Sequence, residues 1–330
     1  MIKVKNTIGV PKYKQIIYSI EDAIKNGNLE KGDKLPSINE IRNLNKLSRD
    51  TVLTAFNELK NRGIITPVVG KGYYVSSENI SIYQKIFLLF DELNSFKEDL
   101  YNSFLENLGE HIQVDIFFHH FNENILHKLI NDNTGDYNYY VVMPANLKNT
   151  SNSIQILPKD KVYILDQLHE DLSDYPAVYQ NFEKTLFDNL TKASHLIEKY
   201  TKLILIFSKD KQPKGILEGF KMFCENKSIP FEILSETKEE PLVRGELYII
   251  PDDKNLLKII KKLRSQNFTL ARDIGVISYN DTLLKEIVEG GITTITTDFN
   301  EMGKNLAQMI LNKKQEKIEN PNKLIIRNSI

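Results

Sequence analysis

The sequence predicts an α/β protein of two parts: a small helical domain closed by a β-hairpin, then a larger body of two parallel-sheet lobes. Three observations carry that expectation. The first 76 residues place three amphipathic helical stretches ahead of a glycine-flanked turn, whereas from Ile82 onward apolar strand-like runs alternate with helical stretches. The charge divides at the same place: residues 1–76 hold 13 lysines and arginines against 7 acidic residues, and the remainder holds 30 against 37. At 330 residues the chain also exceeds what a single core usually supports, roughly 250–300 residues.

With 41% hydrophobic and 26% charged residues, the composition is that of an ordinary globular chain and gives no reason to expect disorder. No apolar run approaches the ~20 residues that span a bilayer, and the start MIKVKNTIGVPKYK lacks the apolar core of a signal peptide. A cytoplasmic protein without membrane contact is expected. Cys224 is the sole cysteine, which rules out an intrachain disulfide and a cysteine-rich zinc site. The basic first part suits a polyanion partner, although a solvated basic surface fits the same count.

Pro11 precedes a pattern in which Tyr13, Ile16, Ile17, Ile20 and Ile24 recur at helical spacing, and Gly27 ends it. Gly32-Asp33 turns the chain. Ser37 with Glu40 three residues later is a capping box for a second helix running to about Leu44. Asn45-Lys46 supplies a tight turn, and Ser48 caps a third helix whose Val52, Ala55, Phe56 and Leu59 form a buried stripe ending near Gly63. IITPVV and YYVS around Gly70-Lys71-Gly72 make a hairpin with a basic tip. Helix, helix, turn, helix, hairpin is the order of a winged helix-turn-helix.

In that arrangement the N-terminal turn of the third helix enters the major groove of double-stranded DNA, which assigns a role to Ser48, Arg49, Asp50 and Thr51. Arg49 is the foremost base-contacting candidate, and Lys71 on the wing would approach the minor groove or backbone. A plain helical subdomain with a charged face is the alternative. LEKGDKLPSINEI, LSRDTVLTAFNELKNRGII and GKGYYV resemble, in order, the segments that mark the GntR family of bacterial transcription regulators over about residues 11–75. The resemblance implies DNA contacts at Ser48, Arg49, Thr51, Gly70 and Lys71, with Ser37 and Asn39 at the start of the second helix sharing the surface. The chain departs from the family at Asn39, where many members carry a phosphate-binding Arg, and at Leu53, which is Arg in some.

In the body, strands are expected at 85–90, 114–118, 139–144, 162–166, 202–207, 231–234, 247–251 and 274–279, about nine in all. Helices are expected at Glu98–Leu108, Phe182–Glu198, Gly215–Glu225 and Asn255–Gln266. No glycine-rich phosphate loop follows any strand, so nucleotide binding has no support. Ligands of such sheets bind at the carboxyl ends of strands. There stand Asp91, with Ser95 and Phe96 just beyond it, Asp166, Ser208-Lys209-Asp210, Asp252-Asp253 and Asn280-Asp281. Carboxylates and amides would bind sugar hydroxyls while Phe96, Tyr101, Tyr179 or Phe182 stacks on a sugar face. The same residues would also serve as helix caps and turn formers.

ARDIGVISYNDTLLKEIVEGGITTITTDFNEMGKNLAQMIL and the terminal LIIRNSI, with Arg327 and Ser329, resemble the end of the LacI family's effector domain. VYQNFEKTLFDNLTKASHLI and the EGF at 218–220 resemble its entry to the second lobe. The resemblance implies a two-lobed, periplasmic-binding-protein-like effector domain over 83–330, joined by a linker at 77–82 to a winged helix-turn-helix domain at 1–76. It puts Asn280 where an effector-contacting Asp is usual and Asp252 where Asn is usual. Ile216 takes the place of a sugar-binding Arg, with Lys214 nearby.

Catalysis is not expected. His119-His120 lacks a third ligand at metal spacing and reads as a surface pair, Cys224 reads as core, and Ser208 lacks a G-x-S-x-G setting. No cofactor or metal is implied. The expected protein is a sugar-responsive transcriptional regulator, a repressor acting as a homodimer on operator DNA, and its build resembles that of the chimeric arabinose-repressor type. A sugar-binding or enzymatic α/β protein whose head makes protein contacts is the alternative.

Overall fold

The computed structural model describes Val4, residues 11–80 and residues 84–330. The head consists of α1 (Lys12–Lys25), α2 (Ile38–Asn45), α3 (Arg49–Asn61) and the hairpin β1 (Ile65–Val68) with β2 (Gly72–Val75). Both capping serines act locally. Ser37 Oγ accepts from the Glu40 amide at 3.2 Å while Glu40 Oε2 accepts from the Ser37 amide at 2.6 Å, which also holds the exposed Glu40 carboxyl below its usual range. Ser48 Oγ accepts from the Thr51 amide at 3.2 Å. Lys46, with φ 50°, turns the chain between α2 and α3. Val52, Ala55, Phe56 and Leu59 pack with Ile16, Ile17, Ile20 and Ile24 into one core, and Tyr73 meets Phe56 edge-on at 4.8 Å, fastening the wing to α3.

The segment expected as a linker, 77–82, is described only to Ile80. Up to that point it is bound to the head. Ser77 donates from its amide to Ile64 O at 3.3 Å, Glu78 accepts from the Lys31 amide at 3.0 Å, and the buried Arg62 guanidinium donates to Ile80 O at 3.0 Å. Arg62 also pairs with Glu21 at 2.5 Å. From the far end of α3, Lys60 reaches Asp136 of the body at 2.9 Å.

The body is two lobes built to one plan. Lobe 1 runs through β3 (Gln84–Phe90), α4 (Ser95–Leu108), β4 (Ile112–Phe118), α5 (Glu123–Asp132), β5 (Tyr139–Val142), α6 (Thr150–Ile154), β6 (Val162–Asp166) and β7 (Ala177–Tyr179). Lobe 2 runs through α7 (Phe182–Lys192), α8 (Ser194–Ile197), β8 (Lys202–Ile206), α9 (Lys214–Lys227), β9 (Phe231–Leu234), β10 (Glu246–Ile250), α10 (Asp253–Ser265), β11 (Gly275–Tyr279), α11 (Leu283–Ile287) and β12 (Thr293–Thr297). The chain then returns to lobe 1 in α12 (Phe299–Leu311) and β13 (Lys317–Glu319), and ends in lobe 2 with β14 (Asn322–Ile325). The sheets have orders β13-β7-β6-β5-β3-β4 and β14-β12-β11-β10-β8-β9, parallel except for β14.

Helices on both faces explain the unbroken apolar strands. In β3, Ile86, Leu88 and Phe90 enter the core under α4 and α12, whereas Phe87 and Leu89 enter the core on the opposite face. Each lobe also brings two helices into close approach at a glycine. A Cβ on Gly303 of α12 would strike the Leu100 carbonyl and the Phe104 amide of α4, and one on Gly219 of α9 would strike the Glu183 carbonyl of α7.

Three sequence expectations need correction. The body has twelve strands among its described residues rather than about nine. The additional ones are three or four residues long, or threonine-rich like β12, whose Thr293, Thr294, Thr296 and Thr297 are buried because their hydroxyls find partners such as Asp281 and Pro321 O. The helix expected over Phe182–Glu198 breaks at Ala193 into α7 and α8. His119 is wholly buried with Nε2 2.9 Å from Met143 O, and burial pushes its pKa down; only His120 is exposed.

Candidate ligand cleft and nucleic-acid interface

The carboxyl ends of both sheets face each other across a cavity of about 590 Å³. β3 and β6 supply its lobe 1 wall. Asp91, Lys97 and Asp166 are each more than nine-tenths buried there. Lys97 Nζ donates to Asp91, and Asp166 accepts from Gln180 Nε2 at 2.6 Å. Burial raises the Asp166 carboxyl to about 6, with Lys97 opposing the shift and Asp91 adding to it. Phe96 and Phe299, stacked at 4.8 Å, line the same wall.

β10 and β11 supply the facing wall. Asp252 caps α10, accepting from the Asn255 amide at 2.9 Å and from Asn255 Nδ2 at 2.9 Å. Tyr279 is 3% exposed and its hydroxyl has no hydrogen-bond partner; burial pushes its pKa up, and Asp166 adds to the rise. Asn280 Oδ1 is likewise buried and unpartnered. Beneath them Lys285 Nζ donates to Tyr279 O at 2.7 Å and Asn280 O at 2.8 Å and pairs with Asp253 at 3.1 Å; burial still holds its pKa down. Asp166 (φ 73°) and Asn280 (φ 59°) take corresponding places in the two lobes, both in the left-handed region that Asp and Asn tolerate best among residues with a Cβ.

The lobes also touch directly. Asn146 Nδ2 donates to Lys209 O at 3.2 Å and Gln212 O at 2.5 Å, and Lys211 of lobe 2 lies 3.6 Å from Glu92 of lobe 1.

Of the residues singled out in the sequence, Asp91, Phe96, Asp166, Phe182, Ser208, Asp252, Asp253 and Asn280 line this cleft. Tyr179 and Lys214 line an adjoining recess, and Lys214 points to solvent, paired with Glu218 at 2.6 Å. It does not stand in for a cation at Ile216, whose apolar side chain lines the cleft itself. Ser95 lies outside the lining: α4 begins there with residue 95 exposed and residue 97 turned inward. Asp281 is held by Arg327 at 2.6 and 2.8 Å and by Thr294 at 2.8 Å; burial raises its pKa, but these bonds outweigh it and leave it lowered. Sequence reasoning missed Lys97, Gln180, Asn146 and Tyr279.

At the other end of the molecule, Ser37, Asn39, Ser48, Arg49, Asp50, Gly70 and Lys71 are exposed and Thr51 is half-buried. The Ser48 hydroxyl is engaged by the Thr51 amide and by Thr51 Oγ1 at 2.8 Å, leaving Arg49 and Asp50 as the free reach of the α3 N-terminus. Gly70 and Gly72, at φ 73° and 110°, let the wing turn with Lys71 at its tip.

This combination defines a two-part class of protein: a winged helix-turn-helix head on a two-lobed, periplasmic-binding-protein-like body. Residues 12–75 match the family of bacterial regulatory proteins of the gntR type, and residues 193–330 match the periplasmic binding protein-like domain. The head thus matches one family model and the second part of the body another. It is 36% identical to the HTH-type transcriptional repressor YtrA of Bacillus subtilis over 76 residues, covering 23% of this chain and 58% of that relative's length. Over 92% of the chain it is 22% identical to the arabinose metabolism transcriptional repressor of Geobacillus stearothermophilus, of which it covers 91%. A LacI family regulator from Silicibacter pomeroyi superposes with a TM-score of 0.63 at 15% identity, covering 74% of this chain and 98% of that one. A LacI family regulator from Lactobacillus casei with bound glucose gives 0.62 at 13% identity, covering 74% and 99%. Among the described residues, no helix is long and apolar enough to cross a membrane.

Proposed function

We propose that the chain is a transcriptional repressor that binds double-stranded operator DNA through its head and is released by a small sugar held between its lobes. The observation that carries this reading is the cleft, where buried carboxylates and an aromatic pair from lobe 1 face unpartnered polar atoms from lobe 2, in one chain with a winged helix-turn-helix. Hydroxyl-rich ligands need such a wall of fixed acceptors beside an aromatic face. Ser37, Asn39, Ser48, Arg49, Asp50, Thr51, Gly70 and Lys71 form the DNA surface. Asp91, Phe96, Asp166, Asp252 and Asn280 meet the effector.

The acting unit is a homodimer, because two recognition helices must address two half-sites. Leu283 and Ile287 on α11, 78% and 76% exposed, supply an apolar surface for a second copy. Coupling runs through lobe 1, to which Lys60 ties the end of α3. A ligand that draws the lobes together changes how that lobe, and with it each head, is presented. By linkage, the factor by which sugar weakens DNA binding equals the factor by which DNA weakens sugar binding.

Gel shift with the DNA upstream of the protein's own gene tests the first half. Arg49→Ala should weaken specific binding by about 1–3 kcal/mol and relax sequence preference. Unchanged binding would remove α3 from the interface. For the second half, one sugar from a panel of pentoses and hexoses should release the DNA; release by none would remove the sugar as effector.

A further inference from the structure

Four of the five lysines lining the cleft are already matched to a carboxylate. Lys97 is bonded to Asp91, Lys211 lies 3.6 Å from Glu92, Lys258 lies 3.6 Å from Glu236, and Lys285 lies 3.1 Å from Asp253. Among the described residues only one further lysine, the exposed Lys254, lines the cavity. Two carboxylates, by contrast, have neutral partners: Asp166 is held by Gln180 and Asp252 by Asn255. Among the described residues that line the cleft, two buried atoms lack partners, Tyr279 Oη and Asn280 Oδ1; both lie on the lobe 2 wall, and the second is an acceptor only. What is left open is a set of acceptors and one hydroxyl, with no buried cation to spare.

Resting on the sugar-effector reading, we propose that the cleft takes an uncharged polyhydroxy ligand, excludes its phosphate ester, and reads hydroxyl groups on the lobe 2 side through Tyr279 and Asn280. A hydroxyl can donate to Asp166 or Asn280 and accept from Tyr279. A phosphate only accepts, and would face carboxylates and an amide oxygen where it needs donors. It would have to break an existing ion pair to gain a buried cation, because the one other lysine of the lining, Lys254, is exposed. Filling the cleft with a polyol gives both orphaned atoms the partners that buried polar groups require. Tyr279 is then a specificity-determining residue on the lobe that closes over the ligand.

The test is isothermal calorimetry on the full chain with L-arabinose, D-xylose, D-glucose and D-galactose, each beside its terminal phosphate ester. At least one free sugar should bind, its ester should bind at least tenfold more weakly, and Tyr279→Phe and Asn280→Ala should each weaken the free sugar about tenfold. A thermal melt of each variant checks that it folds. An ester that binds as tightly as its parent overturns the proposal while leaving the sugar reading standing, and this comparison needs no variant. Folded variants with unchanged affinity overturn the assignment of Tyr279 and Asn280. No binding by any sugar or ester overturns the sugar reading, and the proposal with it.

Discussion

Lobe 1 and lobe 2 share a strand order and a pair of helices crossing at a glycine, yet their cleft walls are finished differently. On the lobe 1 side Asp91 has Lys97 and Asp166 has Gln180 as a partner within the lobe. On the lobe 2 side Tyr279 and Asn280 each keep a buried atom without a partner. Buried polar groups stabilise only when paired, so lobe 1 carries its polar wall as part of its own fold, whereas lobe 2 gains from whatever enters the cleft. The difference leaves a partnered polar wall in one lobe and buried atoms without partners in the other.

The comparison breaks most directly at Lys97. Lys97→Met leaves Asp91 buried beside no cation and should cost about 3–5 kcal/mol in urea unfolding. A loss below about 1 kcal/mol would mean that the lobe 1 wall is not held together by that pair.

Asp166 gives a pH test of the same wall. Its carboxyl titrates near 6 when folded against a usual 3.8, so between those values the folded protein holds a proton that the unfolded chain has released. Its ionisation therefore destabilises the fold at neutral pH, and stability should rise as pH falls from about 7 toward 4, by up to about 3 kcal/mol. Asp166→Asn should lose that component and melt above the unmodified protein at pH 7, with the gap closing by pH 4. An identical pH profile in both proteins would show that the site is not desolvated.

The shared plan makes a smaller prediction. Gly303→Ala and Gly219→Ala each drive a methyl into a facing helix backbone and should each cost about 1–3 kcal/mol, similarly in the two lobes. Unequal losses would show that one helix pair is slacker than the other. Smallest is Asn146→Ala, which removes two hydrogen bonds between the lobes. Stability should fall by about 1 kcal/mol, and small-angle scattering should report a more open body.

The head was legible because its signals are local. Ser37 with Glu40, Ser48 before its apolar stripe, and glycines around Lys71 depend on neighbours three or four residues away, and the structure has each where the spacing puts it. Strand ends were legible for the same reason, and Asp91, Asp166, Asp252 and Asn280 do converge. Lys97 was not, because a lysine in the first turn of a helix looks like a solvated charge until Asp91 is placed beside it. Tyr279 ends a fully buried run, so its ring reads as core, and only the facing lobe reveals that its hydroxyl is left over. Asn146 acts on backbone carbonyls more than 60 residues away, a partnership with no trace in local sequence. Ser95 and Lys214 were misplaced because strand-end position does not say which way the next helix turns.

The chain passes between the lobes three times, at residues 180–181, at 298 and at 320–321, so that β13 completes lobe 1 and β14 completes lobe 2 from segments only a few residues apart. During synthesis the head has all its elements once the first quarter of the chain has left the ribosome, whereas neither lobe can close its sheet until residues 317–325 emerge. The nascent protein therefore has a finished head on an unfinished body for most of its translation. Any truncation before residue 317 strips an edge strand from both lobes at once, so premature termination leaves a head with all its elements on a body whose two sheets are both incomplete.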